Sequence, residues 1–186
     1  MVLKELCSFA GLYTRIEETR AFQEAFPDCN LRPDMSIYNY HYQKVVADVS
    51  VTHPIPISSS TVLSRNAALQ PCRAAEKARR RKIAKYSTVS DANNLEFLPI
   101  IFETTGKMHP ETEIFVKEIL QKACEDIPLV HHSVLHSYWY TRISCSIQKS
   151  VAEAILTKSR VVNGKLTQYR NLRYMENFLA SLPFSF

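Results

Sequence analysis

The spacing of apolar positions changes several times along the chain, and each change marks an element. Residues 2–10 carry apolar side chains at helical spacing and stop at Gly11, as a helix closed by a C-cap glycine would. "LYTRIEE" (12–18) alternates in the manner of a strand, and residues 20–31, with Pro27, Asp28 and Asn30, predict a loop with room for one helical turn. "MSIYNYHY" and "KVVADVSV" are rich in β-branched and aromatic residues and meet around Tyr42 and Gln43, which predicts a hairpin or a closely spaced strand pair. "THPIPISSST" interrupts the pattern, and Thr61 or Ser64 is placed to cap an alanine-rich helix running to about Tyr86.

Beyond that helix, "STVSDANN" predicts a loop and "LEFLPIIFETTG" an apolar strand ending at Gly106. His109 and Pro110 open a further helix, with Glu111 and Glu113 favourably placed in its first turn. Its apolar side carries Phe115, Ile119 and Ala123. After Pro128, residues 133–158 carry Trp139, Ile143, Ile147, Val151 and Ile155 at helical spacing, "VVNG" breaks that run, and residues 165–182 predict a short helix. The order is α-β-β-β-α-β-α-α. One sheet flanked by helices, an α/β or α+β sandwich, satisfies it most simply. One domain over residues 1–160 and a tail over 161–186 follow.

The totals narrow the function more than the fold. With 186 residues, 46% of them hydrophobic, the chain is long enough to bury a real core. Only 3 glycines argue against a glycine-rich phosphate loop. The five cysteines are scattered, odd in number and free of any CxxC pair, which points to buried thiols in a reduced compartment rather than to zinc or disulfides. No apolar window reaches the length of a membrane span, and the N-terminus lacks the features of a secretory signal, so an intracellular protein with no membrane partner is expected.

Charge is uneven. The net charge is +5, and between Arg65 and Lys85 stand eight basic residues against one acid, Glu76. Arg73, Lys77, Arg81 and Lys85 recur at steps of four, with Arg79, Arg80 and Lys82 widening the stripe. Like charges at that spacing repel, so contact with phosphates explains the stripe better than pairing along the helix, although a solvated face is the common reason for such a run.

Four acids stand in unusual places. Asp34 lies at the lip of one predicted strand and Asp48 inside the next, 13 residues intervening. If those strands pair near their ends, two hard oxygen donors converge as a Mg²⁺ site would need. For an isolated pair, a turn-capping Asp34 and a solvent-facing Asp48 would be the simpler reading. Glu103 ends a buried strand, where a carboxylate needs a partner. Glu17 raises the same question more weakly, since Glu18 beside it suggests solvent exposure. His53, His131 and His132 lack zinc spacing, and the serines of "SSST" have no nearby base or glycine elbow. The run Tyr138, Trp139, Tyr140 is expected to be core on one side and interface on the other.

The succession "RPD", thirteen residues, "DVSV", "KIAKY" and "FLPIIFETTG" resembles the restriction-like endonuclease domain of the PD-(D/E)XK superfamily. The likeness is to the version carried by site-specific non-LTR retrotransposon and other reverse-transcriptase-associated proteins, and it spans about residues 11–106. It implies a small central mixed sheet of about four strands and a nuclease that hydrolyses DNA with Mg²⁺ or Mn²⁺. Asp34 and Asp48 would hold the metal. Ser50 stands where the superfamily's usual lysine falls, and Lys82 or Lys85 of the following helix, with Tyr86 beside them, would take that role. Glu17 resembles an auxiliary acid, and Glu103 matches an "ETxG" ending. Arg73, Lys77, Arg80 and Arg81 would bind DNA, with RNA a further partner, in an intracellular, nuclear setting. The short first helix suggests a fragment of a larger open reading frame. A catalytically inactive nucleic-acid-binding module is the alternative, and a domain binding an acidic protein is a third.

Overall fold

The computed structural model describes residues 1–54, 71–125 and 132–162. The chain divides into two compact units, Met1–Lys149 and Ser150–Phe186. The first holds a four-stranded mixed sheet and helices in an α+β arrangement. Its elements are α1 (Val2–Phe9), β1 (Tyr13–Ile16), β2 (Met35–Tyr40), β3 (Gln43–Thr52), α2 (Arg73–Ala92), β4 (Glu96–Glu103) and α3 (Pro110–Glu125). α4 (His132–Val162) begins in this unit and ends in the second. The proposed caps Thr61 and Ser64 and the predicted helix at 165–182 lie outside the described residues. Among those that are described, no helix is long and apolar enough to cross a membrane.

Sheet order is β1-β2-β3-β4. β1, β2 and β3 pair antiparallel, and β4 joins β3 in parallel. The parallel step needs a long crossover, which α2 provides. β3 is therefore central, and its residues 45–48 are all buried, as two-sided covering requires. The β2–β3 hairpin closes through His41 and Tyr42, both at positive φ (46° and 63°), while Asn39 at φ 62° marks a bulge where the register shifts. Positive φ at both loop positions fits the twist of a two-residue hairpin, although neither residue is the usual Asn or Gly.

α1 stops for a local reason. Gly11 takes φ +72°, its N–H donates to the Ser8 carbonyl at 3.1 Å, and Leu12 N–H donates to the Cys7 carbonyl at 2.9 Å. This is the Schellman pair that left-handed glycine permits. α3 begins at Pro110 with Glu111 and Glu113 in its first turn, and the buried Thr112 hydroxyl accepts the Ile101 N–H at 2.8 Å, tying the helix to β4.

α2 departs from expectation at its C-terminal end. Ser87 to Ala92, expected as loop, is helical. Tyr86 and Ser90 are buried, Val89 packs against the Phe22–Val46–Tyr86 cluster, and this packing outweighs the weak helical preference of Ser, Thr and Asp. The turn at Asn93 ends the helix: its amide donates to the Val89 carbonyl at 2.7 Å and accepts Ala25 N–H at 2.9 Å. In the run Tyr138–Tyr140, Trp139 is core and Tyr138 is exposed, as the sequence suggests.

Candidate metal and phosphate site

Strand register brings the acids together. Ile16 pairs with Met35 and Met35 with Ala47, so one step further along Glu17, Asp34 and Asp48 occupy successive positions across three strands. The alignment is held by backbone: Glu17 N–H donates to the Asp34 carbonyl at 3.1 Å, and Val49 N–H donates to Asp34 Oδ2 at 2.7 Å. Asp34 stands just before β2 begins, and its side chain takes a β3 donor that β2 no longer reaches. Directly opposed residues on neighbouring strands place their Cβ atoms about 5 Å apart.

α2 supplies the cation. Ala75, Ala78, Lys82 and Tyr86 succeed one another at steps of three or four and form the side of the helix facing the sheet. Ala75 and Ala78 pack on Ile101, which pairs with Ser50, whereas Tyr86 packs on Val46 and Phe97. α2 thus runs antiparallel to β3 across Asp48. The Lys82 ammonium forms an ion pair with Asp48 Oδ2, and the Tyr86 hydroxyl donates to Asp48 Oδ1 at 2.7 Å. The Arg32 carbonyl lies 3.1 Å from the same hydroxyl, but the closer and charged acceptor is the stronger. Burial, and then the bond to Asp48, push the Tyr86 phenol upward, so it stays a donor.

Lys85 takes a different position. Its ammonium donates to the Tyr86 hydroxyl oxygen at 3.2 Å and sits 4.7 Å from the Tyr86 ring centroid. Of the two lysines in "KIAKY", Lys82 meets the acid and Lys85 meets the tyrosine that holds it.

Asp48 is 4% exposed, which rules out a solvent-facing position on an edge strand. Asp34 is half-buried. Burial raises its carboxyl above the ordinary 3.8, the Val49 N–H opposes that, and the Asp48 charge raises it further. Asp34, whose ionisation the Asp48 charge disfavours and which keeps an oxygen beyond its Val49 bond, makes with Asp48 a donor set suited to a hard divalent cation. Among the described residues no group of three His, Cys, Asp or Glu side chains gathers as a closed metal cage. A Mg²⁺ site does not need one, since one or two carboxylates, water and a substrate phosphate suffice. Asp34 and Asp48 fit that role.

The raised Asp34 carboxyl has a signed consequence. A group whose folded value lies above its ordinary one penalises the native state once ionised, so the penalty is absent below pH 3.8 and full above the raised folded value. Asp34→Asn keeps an acceptor for Val49 N–H and removes the charge. Without divalent cations it is expected to raise the Tm by a few degrees at pH 7, with the advantage shrinking as the pH falls toward 3.8. Parallel melts across that range check this, and an Asn variant less stable at pH 7 overturns it.

The other acids are placed differently. Glu103 is buried on the side of the sheet that carries α2, but it pairs with Thr52, four positions from Asp48. At about 3.3 Å per residue it lies about 13 Å along the sheet from the acid row. Glu17, at φ 50°, is exposed and pairs with Arg32 at 3.6 Å. Glu18 is the more buried of the two glutamates, the reverse of the expectation: it accepts the Tyr38 hydroxyl at 2.9 Å and the Lys44 ammonium at 3.0 Å.

The basic stripe divides as well. Arg79 forms a two-pronged bond to Glu111 at 2.6 and 2.5 Å, and Arg80 pairs with Glu76 at 2.7 Å, Glu76 in turn meeting His109 at 3.0 Å. Arg73, Lys77 and Arg81 are exposed and, among the described residues, take no acidic partner.

No family model, curated protein or solved structure matches this chain.

Proposed function

We propose that this chain is a Mg²⁺- or Mn²⁺-dependent DNA endonuclease of the kind carried by reverse-transcriptase-associated proteins. One observation carries the reading: Asp34 and Asp48 stand opposed at one end of the sheet, with Lys82 entering from the helix above. Paired strand carboxylates and a lysine are the groups that phosphodiester hydrolysis uses. Asp34 and Asp48 would hold a divalent cation, which would supply an activated water and neutralise charge developing on phosphorus.

The chain's own residues do the rest. Tyr86 and Lys82 fix the two oxygens of Asp48, so that its carboxylate is oriented before substrate arrives. The Lys82 ammonium lies beside the acid and stabilises negative charge on a phosphate brought to it. Arg73, Lys77 and Arg81 hold the DNA backbone and carry no base information. Arg80, paired with Glu76, contributes less.

The test is nicking of supercoiled plasmid with Mg²⁺ by the wild-type chain and by Asp34→Ala and Asp48→Ala. Activity in the wild type and at least a 10²-fold loss in each variant, with DNA binding retained, is the expected result. The second reading, a binding module without catalysis, draws on the closed Asp48–Lys82–Tyr86 network. Wild-type DNA binding with no nicking under Mg²⁺ or Mn²⁺ would establish it instead.

A further inference from the structure

The side of the sheet that carries the acid row continues, on β1 and β2, into a surface of another character. Tyr13 and Tyr38 are paired across the two strands, their rings 5.3 Å apart and tilted by 45°. The Arg15 guanidinium lies 5.8 Å from one ring centroid and 5.7 Å from the other, and the Lys44 ammonium lies 5.2 Å from the Tyr38 ring. Glu18 anchors the group from beneath, accepting the Tyr38 hydroxyl and pairing with Lys44 and Arg15. Tyr13 is 59% exposed, although a tyrosine is a large apolar ring that a folded domain usually covers.

The strand alternation sets this cluster on the same side as the acids. Lys44, Val46 and Asp48 alternate on β3, and Val46 and Asp48 both meet Tyr86 of α2. Asp48 lies four positions beyond Lys44, about 13 Å along the strand. In the opposite direction, α2 runs from Tyr86 toward Arg81, Lys77 and Arg73, past the level of Ser50 and Ile101. Along the strand direction the acid row therefore lies between the exposed basic residues Arg73, Lys77 and Arg81 of α2 and an aromatic pair with cations over its rings.

We propose that the exposed Tyr13, backed by Tyr38 with Arg15 over both rings and Lys44 over Tyr38, forms a stacking platform for an unpaired nucleic-acid segment flanking the phosphate at the acid row. This rests on the nuclease reading for its second half only. The chemistry is that of single-strand binding: every base presents a π face, and aromatic stacking with nearby cations holds a strand without reading its sequence. A duplex offers such a platform no exposed base face, so the flanking segment it takes is single-stranded. The platform's two cations against one glutamate leave it a net positive charge suited to that strand.

The test uses the full chain with EDTA, so that cleavage plays no part. Binding of a fluorescent dT oligonucleotide is compared with that of an abasic oligomer of equal length, for the wild type, Tyr13→Ala and Tyr13→Phe. The wild type is expected to prefer dT, Tyr13→Ala to bind dT about 5- to 30-fold more weakly with little change for the abasic strand, and Tyr13→Phe to restore the preference. Equal affinity for the two strands, or an unchanged Tyr13→Ala, overturns the platform. Tyr13 is exposed, so folding is not at stake in these variants. A platform that binds dT while the wild type does not nick plasmid leaves the platform standing and removes the nuclease. Nicking with no preference for dT does the reverse.

Discussion

Replacing Tyr86 with alanine is expected to cost about 4 kcal/mol. Tyr86 is 1% exposed, heads the ranking by volume of fully buried side chains, stacks on Phe97 at 4.7 Å and touches Phe22 at 5.9 Å. Its removal opens a cavity between α2 and the sheet and strips Asp48 of the Tyr86 hydroxyl. Tyr86→Phe separates the two effects. The ring and its packing stay, and the buried Asp48 Oδ1 loses a bond at 2.7 Å, which corresponds to about 1–3 kcal/mol for an acceptor left without a partner. Urea denaturation of both variants measures the pair. A Phe variant as stable as the wild type would show that the phenol does not hold Asp48, and the positioning argument would fail with it.

Much of this was legible in the sequence because local signals and packing agree. The order of the eight elements among the described residues follows from periodicity and breakers, since Gly11 and Pro110 mark backbone requirements that no neighbouring contact changes. Asp34 and Asp48 were visible as acids out of place. Their convergence depends on register, and the two-residue turn alone would set Asp34 opposite Val49; the bulge at Asn39 shifts the pairing by one residue and brings Asp34 opposite Asp48, a step the turn length does not announce.

What sequence spacing left open has a tertiary cause. The four-step run Arg73, Lys77, Arg81 and Lys85 draws attention to the exposed side of α2, whereas Lys82 belongs to the neighbouring run Ala75, Ala78, Tyr86 that faces the sheet. A lysine in register with buried alanines was the available signal for choosing it over Lys85. Glu17 and Glu18 were indistinguishable by pattern. Which of them turns inward follows from the positive φ at Glu17, which breaks the strand alternation. The division of the basic stripe rests on Glu111, 32 residues beyond Arg79, a contact that no spacing along α2 records.

Lys82→Ala is expected to destabilise the unit by about 3 kcal/mol, because it leaves a carboxylate that is 4% exposed without its countercharge. The Lys82 side chain is 26% exposed, so water reaches the vacated position and keeps the loss below that of a fully enclosed pair. Asp48→Asn combined with Lys82→Met removes both charges and is expected to recover most of the loss; the double-mutant cycle then gives the coupling directly. Lys85→Ala, which removes a bond to an already bonded hydroxyl on an exposed surface, is expected to cost under about 1 kcal/mol. If the nuclease reading is right, Mg²⁺ raises the Tm of Lys82→Ala more than that of the wild type, because a bound cation is then the charge facing Asp34 and Asp48. Melts with and without Mg²⁺ decide the matter. No Mg²⁺-dependent shift in either protein would mean that the acid row draws no cation, and Lys82 would stand as a structural partner of Asp48 alone.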